Sequence, residues 1–536
     1  MPDAKTEISL EYVEALFHSG RFSDAYKHLI ISQEEQADHD FSLLLGIAAC
    51  GLGKFKQAAH FFCTTQKHHH DAEQHACSEM ERYLTSGVLT YEMIIKVIDE
   101  ALLLTPHDKL LHACYATILQ HAGHPTKAIH HLKRYIGENK PDVFLCNLLA
   151  TFLLEAGKYA IAMKIFSHCE KAFGGNFVLY TNIATLYHIQ NQFEHALRYY
   201  RKAIQLQPYY AKLRVNYSLC LLKAGFFHQG WIEHEWRLNT PNHTSLSKKT
   251  LLPTLTSTIE LKDKKILLTQ EGGLGDTLMY LRFVALLVEF GADVELWVPE
   301  SIKGLCQRLQ CHPKVRVGGD NVPDFDWHCP FISLPRALNI DPNQFKKAIP
   351  YLFADPQKVE KWKNKLPKTD LLKIGIAWKG SEHRNDITAM LINKKKSIPL
   401  SKFSSLIENV KNAQFISLQS HYNDPSDREL LGQFNIFNPI DDIETMDDTA
   451  AIIANLDVVI TVDTSIVHLA GAMGHPVILM DRFDNCWRWG GDSKVNPWYS
   501  TVHIIRQTQL NIWQDVLDKT AHTLNRFIAK RYPLNN

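Results

Sequence analysis

The chain has 536 residues, with 58 Lys plus Arg against 57 Asp plus Glu and a formal net charge of +1. That length exceeds what one hydrophobic core can organise, and 45% hydrophobic with 21% charged residues excludes a mainly disordered chain. The charge balance gives no support to a nucleic-acid or membrane-surface partner, and no run reaches the ~18–20 apolar residues of a membrane helix.

The opening stretch, MPDAKTEISLEYVEALF, carries acids among its apolar positions and no basic flank before an apolar core, so it does not read as a signal peptide. The 11 cysteines are scattered, with no C-x-x-C pair. They read as small buried hydrophobes in a reducing compartment, and a cytoplasmic location is expected. His68, His69, His70 and His75 could hold a metal, but no Cys or carboxylate at fixed spacing completes a ligand set. They read as a solvated helix end.

A repeat follows. From Phe177, FVLYTNIATLYHIQNQFEHALRYYRKAIQLQP places small residues at Ala184, Ala196 and Ala203, large ones at Tyr187 and Tyr200, and Pro208 at its end. The register recurs upstream at a period of ~34 residues. It takes in Ala150, Gly157, Ala162 and Phe166, then Ala116, Gly123, Ala128 and Leu132. Gly46, Gly53, Ala58 and Phe62 fit it, as do Val13, Gly20, Ala25 and Leu29. The stretch from His75 to Asp108 is degenerate, and Ser218, Gly225 and Gly230 mark a last unit. Small residues belong where two antiparallel helices cross, Gly makes the turn, and Pro stops the second helix. The pattern resembles the tetratricopeptide repeat. It predicts an α-helical solenoid over residues 1–240, with about seven units. The resemblance implies a surface for a peptide or partner protein and no chemistry.

Residues 241–262, rich in Ser, Thr, Pro and Asn, read as a linker. After it, short β-branched runs alternate with helical runs: KILLTQ, DVELWVP, VRVGG, KIGIAW, QFISLQ, DVVITV, PVILMD and TVHIIR. This alternation predicts parallel doubly wound sheets in two lobes, 263–368 and 369–536, facing each other across a cleft. An amphipathic helix from about Asn511 to Lys530 is expected to pack back across both.

Two segments carry candidate chemistry. EGGLGDTLMYLRF (271–283) follows a strand and opens a helix, and Gly272, Gly273 and Gly275 allow a tight turn and close approach of a ligand. Leu278 stands where a dinucleotide fingerprint needs Gly, and no Gly-Lys-Ser/Thr follows. Asp276 has two readings: a helix N-terminal carboxylate satisfying its own backbone, worth ~1 kcal/mol, or a general base aimed into the cleft. In the second segment a buried strand ends at Asp463, Thr464 and Ser465, and His468 follows one helical turn on. Hydroxyls and free N–H groups at such a helix start suit a phosphate or diphosphate. Asp463 would orient the loop or contact a sugar hydroxyl. His468 alone reads equally as a core or capping histidine.

The ordered set GGLGDT (272–277), ISLPRAL (332–338), GIAWKG (375–380), KSIPL (396–400), the Asp457 to Pro476 stretch, WRW (487–489) and PWYSTVHIIRQ (497–507) resembles the GT-B glycosyltransferases of family 9, the heptosyltransferase-like class. Together with the repeats, and with GWIEHEWR (230–237), the chain resembles bacterial proteins in which such a module follows tetratricopeptide repeats. The resemblance implies an α/β GT-B fold of two Rossmann-like lobes, with the acceptor on the first and the donor on the second. It implies inverting transfer of a sugar from a nucleotide-diphosphate-sugar to a protein or glycan acceptor, with no cofactor and no obligatory metal. Asp276 receives the role of base. Asp463, Thr464, Ser465 and His468 receive donor binding, and Lys379 and Arg488 would offset the leaving-group charge. The repeats would bind acceptor or partner, and a homo-oligomer is compatible with an exposed solenoid edge.

There are departures from the pattern. Cys486 stands where relatives carry Asp before WRW, and residues 381–396 are longer and more irregular than the family's short basic loop. These favour an alternative, a catalytically inactive scaffold in which the repeats mediate protein interaction. One D-x-D triplet, Asp324-Phe325-Asp326, reads as chance carboxylate spacing in a first-lobe loop.

Overall fold

The computed structural model describes residues 10–35, 39–65, 83–84, 86–240, 246–256, 260–319, 321–340, 349–380, 387–419, 425–492 and 496–531. The histidines from His68 to His75 lie outside the described residues, as does the 381–386 part of the long loop. The chain divides into two compact units, mainly between Leu186 and Tyr187.

The first unit is built of helix–turn–helix pairs: Leu10–His18 with Phe22–Glu35, His39–Gly51 with Phe55–Thr65, Lys109–His121 with Pro125–Glu138, and Val143–Glu155 with Tyr159–Phe173. The helix Tyr91–Leu104 precedes the third of these pairs. The small residues of the repeat do what the pattern requires: Ala25, Ala58, Ala116, Ala128, Ala150 and Ala162 are all 0% exposed. Gly46 takes the same position, and a Cβ there would stand 2.8 Å from the Phe62 ring. Leu29, Leu132 and Phe166 fill the adjoining layer and are buried.

The second unit begins with the later helices of the repeat. The turn before Phe193–Leu206 has no Gly, and Asn191 adopts the left-handed conformation (φ 58°) in its place. Asn tolerates that region better than other side chains. The last hairpin, Ala211–Lys223 and Phe227–His234, runs on into a 3-10 turn, Glu235–Asn239. Leu222 and Trp231 of this hairpin belong to the same hydrophobic core as the strands that follow. Trp231 packs edge-on against Trp487 at 5.2 Å and against Tyr280 at 6.3 Å. The stretch before the first strand is also docked. Leu252 is fully buried and its N–H donates to His328 O (2.8 Å), while Leu255 N–H donates to Ala337 O (2.7 Å).

Two parallel sheets follow. The first contains β1 (Lys265–Thr269), β2 (Asp293–Val298), β3 (Lys314–Val317) and β4 (Trp327–Pro330), in the order β3-β2-β1-β4. The second contains β5 (Leu372–Ala377), β6 (Ala413–Ser417), β7 (Val458–Thr461), β8 (Val477–Asp481) and β9 (Val502–Arg506), in the order β6-β5-β7-β8-β9. Every pairing is parallel. The strand β4, WHCP, is not among the runs read from sequence. The strand order reverses beside β1 and beside β5, and loops at the carboxyl ends of such strands are where open α/β sheets bind ligands. The helix Gln514–Arg531 sets Val516, Leu517, Leu524 and Ile528 into the core of the second sheet beside Ile374, Ile376 and Ile460.

Candidate active site

The Gly-rich segment turns directly out of β1. Gly272 is in the left-handed region (φ 70°), and Asp276 Oδ2 lies 3.5 Å from where its Cβ would stand. A side chain there would be strained by the backbone, although it would meet the carboxylate only at ordinary contact distance. Gly273 caps the helix Leu274–Tyr280 without a side-chain bond and has open space around it. At Gly275 a Cβ would stand 2.8 Å from the His468 ring and 3.6 Å from Ser465 Cα. Glycine is what lets the helix after β1 meet the start of the helix after β7.

Asp276 is the third residue of its helix, and among the described residues its side chain does not cap that helix. Its carboxylate forms an ion pair with Arg488, which lies in the 3-10 turn Trp487–Trp489 of the second sheet's side. Both side chains are largely buried, at 19% and 18% exposure. Arg488 lies over the Trp487 ring at 4.9 Å, donates from Nη1 to Cys486 Sγ (2.8 Å), and leaves its Nε unpartnered. Cys486 therefore accepts from Arg488. Burial works against the guanidinium's charge. Asp276 outweighs it and holds the Arg488 pKa well above the ordinary value.

Around the end of β7, Thr464 caps the helix Ser465–Ala472 by accepting from Ile466 N–H (3.3 Å), and its hydroxyl also meets that of Thr461 (3.2 Å). His468 is buried, stacks on Trp489 with ring centroids 5.3 Å apart, and bonds the Tyr499 hydroxyl through Nδ1 (3.0 Å). Burial pushes its pKa down to about 3 against the pull of Asp463. His468 is thus a neutral hydrogen-bonding group at ordinary pH. For Asp463, burial alone would raise the pKa, but the charges of Lys396 and Arg488 outweigh it and hold the carboxyl below its usual value.

Lys379 follows β5 as expected, but its ammonium is held by the buried Asp427 at 2.7 Å. Gln419 accepts from the backbone N–H groups of both Trp378 and Lys379. A second cation of this region is Lys396, whose charge acts on Asp463 and to which sequence reasoning gave no role. It closes the helix Ile387–Lys396, which replaces part of the expected irregular loop. Its Nζ lies 3.1 Å from where a Cβ on Gly380 would stand, and among the described residues it makes no ion pair. Its signal was available, since Lys396 opens the KSIPL motif.

Two further arginines support the site. Arg282, also buried, donates to Trp498 O (2.8 Å) and lies over the Tyr499 ring at 4.8 Å, and so braces the partner of His468. Arg237, from the 3-10 turn after the last hairpin, pairs with Glu271 at the head of the Gly-rich segment and also donates to Glu235 and Ser333 (2.7 Å each). The Asp324-Phe325-Asp326 triplet lies away from these groups. Asp326 caps the backbone of Lys265 (2.8 Å), and Asp324 pairs with the Lys265 ammonium (3.0 Å). Among the described residues no group of three or more His, Cys, Asp or Glu is placed to hold a metal. None of their helices is long and apolar enough to cross a membrane.

Fold and site together define a helical-repeat chain joined to a two-sheet α/β module whose loops meet around Asp276 and Arg488. The family model for glycosyltransferase family 9 (heptosyltransferase) matches residues 388–510, and that for the tetratricopeptide repeat matches residues 177–210. The chain carries both elements. Among curated proteins, Protein FlbA of Caulobacter vibrioides is 25% identical over 447 residues, covering 77% of this chain and 72% of that one. Among solved structures, the ADP-heptose lps heptosyltransferase II of E. coli is 14% identical, with a TM-score of 0.36, over 49% of this chain and 100% of its own. The glycosyl transferase family 9 protein of Veillonella parvula is 12% identical, with a TM-score of 0.37, over 50% of this chain and 98% of its own.

Proposed function

We propose that the chain is an inverting glycosyltransferase that moves a sugar from a nucleotide-diphosphate-sugar to a protein or glycan acceptor. The observation that carries this reading is the meeting of Asp276 with Arg488, and of Gly275 with Ser465 and His468, at the carboxyl ends of the two sheets. The acceptor hydroxyl gives its proton to the Asp276 carboxylate while its oxygen attacks the anomeric carbon. The bond from that carbon to the diphosphate oxygen breaks, and its electron pair leaves with the nucleoside diphosphate. The growing negative charge falls to Lys396, Arg488 and the N–H groups opened by Thr464 and Ser465, with His468 as a neutral hydrogen-bonding group. Asp276 must first part from Arg488, so donor phosphate would exchange with the carboxylate for the guanidinium. No metal is required in this scheme. The helical repeats fit the binding of acceptor or partner, and the absence of a lipid-spanning helix among the described residues is compatible with work in the cytoplasm.

A second reading, a scaffold that no longer transfers sugar, is favoured by one observation: Asp276 and Lys379 are both already paired, with Arg488 and Asp427. A thermal-shift panel with UDP, ADP, GDP and their sugars separates the two. A ligand at 100 times its Kd stabilises the fold by about 2.7 kcal/mol. A saturable shift with one nucleotide family supports the transferase, and no shift from any of them supports the scaffold.

A further inference from the structure

A cavity, about 450 Å³ in volume, lies between the last helical hairpin and the turn that carries Arg488. Phe193, Phe227 and Trp487 form its apolar walls, and Lys223, Arg488 and Asp492 are its charged lining. Lys223 ends the helix Ala211–Lys223 and is 4% exposed, yet its ammonium makes no hydrogen bond or ion pair among the described residues. The carboxylates in its electrostatic reach each pair with another cation, although Oδ1 of Asp481 and of Asp484 accepts no hydrogen bond. Asp481 is held by Arg506 at 2.8 Å, and Asp484 by Lys395 at 3.3 Å. Asp492 has an interaction of its own. Burial, and after it the charge of Arg506, push the Lys223 pKa down to about 8 against the pull of Asp481 and Asp484. A cation withdrawn from water without a partner is costly, and a roomy cavity beside it is where a counter-ion can enter.

We propose that this cavity binds a small aromatic anion, its phosphate or carboxylate held by Lys223 and Arg488 and its ring against Phe193, Phe227 and Trp487. The ligand is distinct from the sugar donor, which the proposed function places at the carboxyl ends of β5 and β7 and which shares Arg488 with this cavity. Because Arg488 is also the partner of Asp276, an anion in the cavity competes with that carboxylate for one guanidinium. This last link rests on the role proposed for Asp276, whereas the binding itself does not.

The test titrates the full chain and its Lys223→Met variant with phenyl phosphate, benzoate and inorganic phosphate, followed by calorimetry. Saturable binding of phenyl phosphate or benzoate, weakened at least about tenfold in the variant, is expected. Binding of inorganic phosphate alone should be weaker, since it fills none of the apolar wall. No saturable binding of any of the three, or equal affinity in the variant, overturns the proposal. If Lys223→Met does not fold, acetylation of Lys223 in the unaltered chain decides. Protection by phenyl phosphate supports the site, and an unchanged rate overturns it. The same preparations are titrated with nucleotide sugars. Nucleotide binding without phenyl phosphate binding contradicts this inference alone. The reverse result contradicts the transferase reading and leaves the cavity site standing.

Discussion

Arg488 and Asp276, 212 positions apart in sequence, form an ion pair that joins the Gly-rich turn after β1 to the tryptophan-flanked turn after β8. It places a carboxylate with the chemistry of a base directly beside the cation best suited to a departing diphosphate. A double-mutant cycle with Asp276→Asn and Arg488→Met measures the pair. Both side chains keep some solvent contact, so a coupling of about 1–2 kcal/mol in unfolding stability is expected. Additive effects within about 0.3 kcal/mol would mean that the two side chains do not pair in solution.

The two lysines near the end of β5 should behave differently. Lys396 makes no ion pair among the described residues, so Lys396→Met should weaken nucleoside-diphosphate affinity about tenfold or more, read by calorimetry. Lys379 is committed to Asp427, whose side chain is 5% exposed. Lys379→Met should therefore lower stability by about 1–2 kcal/mol, from the carboxylate left unpaired, with a smaller effect on affinity. The opposite ranking of affinities would return the phosphate role to Lys379.

His468 makes stability depend on pH. Its folded pKa of about 3 lies below the ordinary 6.5, so the folded chain resists protonation that the unfolded chain accepts. Its contribution is complete above pH 6.5 and is lost as pH falls toward 3. Compared with His468→Gln, which cannot titrate, the unaltered chain should lose about 3 kcal/mol more between pH 7 and pH 4. Denaturant unfolding of both at a series of pH values reads the difference. Parallel curves would show that His468 is not buried in its neutral form.

Much of this was legible in the sequence because it is local. The alanines of the repeat, from Ala25 to Ala162, are fixed by close approach within a short stretch of chain, and Gly272 by its own left-handed backbone. What escaped depends on distant partners. Asp427 lies 48 positions from Lys379, and nothing near either residue pairs them. Arg237 and Glu271 are 34 positions apart, on a segment read as the end of a solenoid and one read as a ligand loop. The edge strand β4 is four residues closing on Pro330, too short to display an alternation. The stretch around Leu252, polar enough to read as a linker, is fixed by a few apolar side chains along that edge.

The central claim is that Asp276 is the base of a sugar transfer. The direct measurement compares the unaltered chain with Asp276→Asn, using the nucleotide sugar that gives the largest thermal shift, and follows both nucleotide affinity and release of nucleoside diphosphate to acceptor. The account predicts that Asn at this position slows transfer by about 10²–10⁴-fold while nucleotide affinity changes by less than about threefold. Transfer surviving within about tenfold of the unaltered chain would contradict it.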